Sequence, residues 1–276
     1  MQLGGLCFFM LAGFVLTVAI QLLAPPPAAE GPSAVRLNLL WQACTQVCIF
    51  LVPSIAFAWL FHGNAARYLC ADFHGRKWVL GLIAMVVLLL LTPLNDWLTY
   101  WNEQWQMGQW EELLRGQWRK YGELTQKLLS LDSWPDLLLQ LLVVALLPAV
   151  CEEVFFRGAL QQVLQRWLGN KHIAVLVTAL LFALAHGDVY GLVPRFGLGV
   201  LLGYLFALSG SIVVNVCTHF FNNAMVVILY WLYHQQTIFF DPSEPYLFPW
   251  VTTTVCTLAA MMLFLVYFAK FRQKRS

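Results

Sequence analysis

Apolar residues run almost unbroken for about 20 positions at a time along this chain, and that repetition decides the solvent the fold is built for. A helix of about 20 apolar residues crosses the roughly 30 Å hydrocarbon core of a bilayer. Runs of this kind lie near residues 3–24, 39–61, 78–97, 137–157, 172–187, 192–208, 211–233 and 247–269, eight in all. The first has no basic residue ahead of it and is too long for a secretory signal, so it reads as a membrane anchor. Pro25-Pro26-Pro27 then predicts a stiff turn. The expected fold is all-α, a polytopic transmembrane bundle of about eight helices. With 60% hydrophobic and 11% charged residues, an ordinary soluble domain is excluded. A net charge of +2 gives no footprint for nucleic acid, and the expected surroundings are the lipid bilayer.

Charge placement predicts the orientation, because basic residues gather on the cytoplasmic side. Arg67, Arg76 and Lys77 follow the second run, Arg166 and Lys171 the fourth, and Lys270, Arg272, Lys274 and Arg275 the last. Asp241 and Glu244 occupy the loop before the last run. Eight crossings put every basic segment on one side, so both termini are expected in the cytoplasm. Residues 1–136 read as three transmembrane helices plus an interfacial segment, 137–233 as the core, and 234–276 as a helix with a basic tail. The interfacial segment carries charges of both signs at helical spacing and the tryptophans Trp97, Trp101, Trp105, Trp110, Trp118 and Trp134. It reads as a helix anchored by an aromatic belt, with a lid over the site as the sharper alternative. Seven scattered cysteines form no disulfide framework and read as buried packing thiols, Cys151 among them held protonated by apolar surroundings.

The fourth run is broken by Glu152, Glu153 and Arg157. Ionisable groups at this depth cost at least about 2.5–3.5 kcal/mol each, which marks a functional site by default. Residues four apart share a helix face, so Arg157 lies over Glu153. Glu152 points about 100° away and is left as the free carboxylate. Pro148, one turn earlier, removes a backbone donor and predicts a kink. His186 closes the fifth run one turn after Phe182. His219 lies in the middle of the seventh and shares a face with Asn223. His62, His74, His172 and His234 fall at run ends and read as interfacial or solvated. A single membrane histidine is usually a helix–helix hydrogen bond. Two histidines, an asparagine, two glutamates and an arginine on three runs are more economically read as one converging site.

Glu152-Glu153-x-x-x-Arg157, Phe182-x-x-x-His186 and His219-x-x-x-Asn223, in that order, resemble the three motifs of the CAAX protease and bacteriocin-processing family, intramembrane glutamate-type endopeptidases that include prenyl-protein processing enzymes of the Rce1 type. The resemblance covers roughly residues 137–233. It implies an integral protein of a bacterial cytoplasmic membrane that hydrolyses a peptide bond in a membrane-associated protein or peptide. It implies Glu152 as the base that activates water with His186, and His219 with Asn223 as donors to the oxyanion, the imidazole donating while neutral. Glu153 and Arg157 would orient Glu152. No metal or other cofactor is expected; the alternative is zinc on Glu152, His186 and His219, although no His-Glu-x-x-His occurs. The competing functions are a transporter with a Glu152/His186/His219 proton relay and a non-catalytic immunity or scaffold protein of the same fold. One conflict stands. Counted from the run ends, Glu152 lies about 22 Å from one face and His186 about 21 Å from the other. In a 30 Å core they miss each other by more than about 10 Å, so span four must start below the interface or span five must begin deeper.

Overall fold

The computed structural model describes residues 2–23, 31–70 and 77–273. The Pro25–Pro27 turn, His74, Arg76, Lys274 and Arg275 lie outside the described residues, as do the side chains of Lys270 and Arg272. The helices are α1 (Gln2–Leu23), α2 (Pro32–His62), α3 (Lys77–Glu103), α4 (Glu111–Leu128), α5 (Trp134–Leu168), α6 (Lys171–Ala185), α7 (Leu192–Ser209), α8 (Ile212–His234) and α9 (Trp250–Gln273). No strand occurs among the described residues. Each of the eight apolar runs lies on its own helix, and α4 is the polar one between the third and fourth. Helices α2, α3, α5, α7 and α8 are long and apolar enough to span a membrane; the apolar parts of α1, α6 and α9 are shorter. The chain is an all-α integral membrane bundle.

Burial is arranged for lipid. Large apolar side chains such as Phe8, Phe14, Leu138, Leu142 and Met262 face outward. The interior holds Glu153, Arg157, Asn215 and Thr218, all with no accessible surface. Phe155, Phe156, Phe182, Phe57 and Leu6 belong to one buried apolar cluster, and Phe156 and Phe182 border Arg157. No cysteine is bonded to another, and Cys7, Cys44 and Cys217 are exposed rather than packed inside, as thiols on lipid-facing helices can be.

Pro148 is carried through its helix by a wide turn. In α5 the π-helical turn Leu141–Leu146 comes immediately before Pro148. A π turn re-spaces the backbone bonds that a proline interrupts, so the helix continues through Pro148, where the sequence predicts a kink. A second π stretch, Val154–Gln161, carries Arg157 itself. The helix then runs on to Leu168, well past the boundary at 157 read from the sequence. This longer helix removes the depth conflict. Glu152 lies 16 residues before Leu168, and His186 lies 15 residues after Lys171. At 1.5 Å per residue those are about 24 and 22 Å from the same turn, so the two side chains stand at one level of an α5–α6 hairpin.

Small residues let α6 and α7 approach closely. A methyl placed on Gly199 would come within 3.0 Å of the Ala179 Cα. Close backbone approach through small residues is a main source of helix association in lipid. It also leaves the carbonyls of Gly199 and Gly203 accessible to α5, where Arg157 Nη2 donates to the first at 3.2 Å and Gln161 Nε2 to the second at 3.0 Å. Gly199→Val should therefore lower stability by about 1–3 kcal/mol through overpacking. Thermal unfolding in detergent measures this, and an unchanged midpoint would contradict the close α6–α7 contact.

Candidate active site

Glu153 and Arg157 meet as their spacing predicts. Arg157 Nη1 donates to Glu153 Oε1 at 2.6 Å, with both side chains fully buried. The guanidinium also lies 4.7 Å over the Phe182 ring. Two further groups from α8 converge on the same carboxylate. His219 Nδ1 sits 2.9 Å from Glu153 Oε1, and Asn215 Nδ2 donates to Glu153 Oε2 at 3.0 Å. Glu153 is thus saturated by three donors from two helices.

Glu152 stands apart, as its position around the helix requires. It is nearly buried, and no hydrogen bond to another described residue reaches it. Its nearest ionic partner is His219, whose Nε2 lies 3.9 Å from Glu152 Oε2. The imidazole therefore bridges the two carboxylates, one ring nitrogen toward each. Its hydrogen-bonded nitrogen is fixed by chemistry. Glu153, neutralised by Arg157, is an acceptor, so Nδ1 carries the proton and neutral His219 presents a bare Nε2.

His186 caps the C-terminal end of α6. Its Nδ1 lies 2.8 Å from the Phe182 carbonyl oxygen, which can only accept, so Nδ1 carries the proton and Nε2 is bare in the neutral ring. Phe182 packs edge-on against both histidines, with ring centroids 4.9 Å from His186 and 5.9 Å from His219. His186 interacts electrostatically with Glu152, His219 and Arg195. Gly187 follows at φ +67°, a left-handed conformation that ends the helix without strain for glycine.

The loop after His186 is strapped from several sides. Asp188 accepts from the Tyr190 amide and pairs with Arg195 at 2.7 Å. Asn102 of α3 donates to the Val189 carbonyl and accepts from the Val193 amide. From α4, Arg115 lies over the Tyr190 ring and Trp118 packs against its edge. The Met107 amide and Arg115 hold Glu111 below the usual carboxylate range. The amphipathic helix between α3 and α5 thus contacts the loop that positions His186.

Asn223 is set slightly apart. Its amide reaches the Ala145 carbonyl at 3.5 Å and accepts from Asn222 at 3.3 Å, two turns along α5 from Glu152. Glu152, Glu153, Arg157, His186 and His219 therefore form one cluster, with Asn223 beside it on the same face of α8 as His219. The cluster also contains Asn215 and the Gly199 carbonyl, neither anticipated from the sequence. Asn215 did carry a signal: it is a polar residue in an apolar run, one turn before His219. Among the described residues no group of three or more His, Cys, Asp or Glu side chains is placed to hold a metal ion.

Residues 134–225, from the start of α5 into the middle of α8, match the family model described as Rce1-like, type II CAAX prenyl endopeptidase Rce1-like. No curated protein and no solved structure matches the chain. The matched stretch contains all three motifs and the whole cluster built above. Residues 134–225 thus carry an Rce1-like CAAX-endopeptidase domain match, consistent with the CAAX protease and bacteriocin-processing family.

Proposed function

We propose that this protein is an intramembrane endopeptidase that cleaves a membrane-associated protein or peptide with water activated by Glu152. The observation that carries the reading is the division of labour between adjacent carboxylates. Glu153 is consumed by Arg157, His219 and Asn215, whereas Glu152 keeps its lone pairs for a reactant. A carboxylate without donors, at the depth of two histidines, suits a general base better than a structural ion.

The charges suggest how the steps run. Glu152, Glu153 and Arg157 surround His219 with two carboxylates and one guanidinium, so a doubly protonated ring would leave the cluster without net charge. Because His219 Nδ1 is engaged by Glu153, its Nε2 donates only in that doubly protonated form. This reading differs from the neutral donor that the family resemblance implies. Glu152 takes a proton from water, with the bare Nε2 of His186 helping to orient it. The resulting hydroxide adds to the scissile carbonyl. The oxyanion forms against the His219 imidazolium and the Asn223 amide, where preorganised donors act most strongly. Glu152 then returns its proton to the leaving amine as the C–N bond breaks.

Two results test the scheme. Asn223→Ala should lower kcat by about 10²–10³-fold with KM little changed, as for loss of one oxyanion donor. Normal turnover would assign Asn223 to packing. Cleavage by the purified protein in detergent should also persist after exhaustive chelation. Loss of activity on chelation, restored by adding zinc, would overturn the metal-free reading.

A further inference from the structure

We infer that Asn215 is a positioning residue, acting through Glu153 on His219; the inference rests on the peptidase reading above. Asn215 is fully buried on α8, one turn before His219. Both contacts of its Nδ2 are to acceptors, Glu153 Oε2 at 3.0 Å and the Leu202 carbonyl at 2.7 Å. That pattern fixes which end of the amide faces the carboxylate, since an oxygen there would meet two oxygens. Asn215 therefore anchors one oxygen of Glu153 to the backbone of α7.

The anchor matters because of what the other oxygen does. Glu153 Oε1 serves Arg157 and His219 together. Guanidinium and carboxylate groups commonly pair through both oxygens at once. Here that fork is not formed: Nη1 goes to Glu153 and Nη2 to the Gly199 carbonyl. The terminal torsion of a glutamate is broad and roughly two-fold, so the carboxylate can turn unless its far oxygen is held. Asn215 holds it, and Oε1 stays aimed at His219 Nδ1. That bond keeps the imidazole proton on Nδ1 and turns Nε2 toward Glu152. Without the amide, the carboxylate is free to turn to Arg157, and His219 loses the partner that holds its ring with Nε2 toward Glu152 and, in the neutral ring, selects the tautomer. A partner one step further out costs on the order of 10–100-fold.

The test uses the full-length protein in detergent, with ¹⁵N-labelled histidine and His219 assigned by the signal lost in His219→Gln. At a pH where the ring is neutral, His219 should carry its proton on Nδ1. In Asn215→Leu, which keeps bulk but removes both donors, and in Asn215→Asp, which keeps shape but offers no N–H, the proton should move to Nε2 or divide between the nitrogens. Both variants should lose about 10–100-fold in kcat with KM little changed. A purely structural asparagine would leave the tautomer where it was. An Nε2–H form in the parent protein, or a folded Asn215→Leu protein with unchanged tautomer and turnover, overturns the inference. If neither variant folds, the parent spectrum alone decides. A parent protein that cleaves nothing overturns the peptidase reading instead, and the spectrum still judges the positioning.

Discussion

Glu152→Gln should leave the protein folded and inserted while lowering cleavage by about 10²–10⁴-fold, the contribution typical of a positioned general base. The substitution keeps the shape of the side chain and removes its basicity. Folding should tolerate it because no hydrogen bond to another described residue depends on Glu152, and its nearest ionic partner, His219, keeps its bond to Glu153. Unfolding midpoints and peptide cleavage measured on the same preparations separate the two effects. A folded variant with full activity would remove Glu152 from the reaction.

Glu153→Ala should be the most damaging single change to stability, costing about 3–5 kcal/mol, the range for stripping one partner from a buried ion pair. It leaves Arg157 with the Gly199 carbonyl, the Phe182 and Phe156 rings and the more distant Glu152, but without its ion-pair partner. Arg157→Ala should cost less, because Glu153 keeps the His219 and Asn215 donors. The double variant should be more stable than Glu153→Ala alone, since no uncompensated cation remains. Thermal unfolding of the three proteins gives the coupling directly. Costs that simply add would show that the two side chains do not depend on each other.

How much of this arrangement was legible beforehand differs by residue. The apolar runs marked the helices because lipid demands long uninterrupted stretches. The Glu153–Arg157 pair followed from one helical turn, and the three motifs were each readable as residues four apart on one face. The length of α5 was not legible. Arg157 and Gln161 look like the end of a membrane span, yet they are buried because Gly199 and Gly203 offer their carbonyls across the helix interface. A polar residue satisfied by a neighbouring backbone cannot be told from one leaving the membrane by looking along a single helix. Asn215 escaped for the same reason, since its partners lie on α5 and α7. The histidine tautomers depended wholly on such partners: a carbonyl one turn back for His186 and a carboxylate on another helix for His219. The strap on the loop after His186, from α3 and α4, joins residues 87 positions apart, as at Asn102 and Val189, and leaves no local pattern.

The most direct measurement reconstitutes the purified protein in liposomes with membrane-tethered peptides, prenylated CAAX tails among them, in ¹⁸O-enriched water. Mass spectrometry of the products should show a peptide cut once, with one ¹⁸O in its new carboxyl group, and no such product from Glu152→Gln. Failure of the parent protein to cleave any tethered peptide, or equal labelling by the Glu152→Gln protein, would contradict an intramembrane peptidase that uses Glu152 as its base.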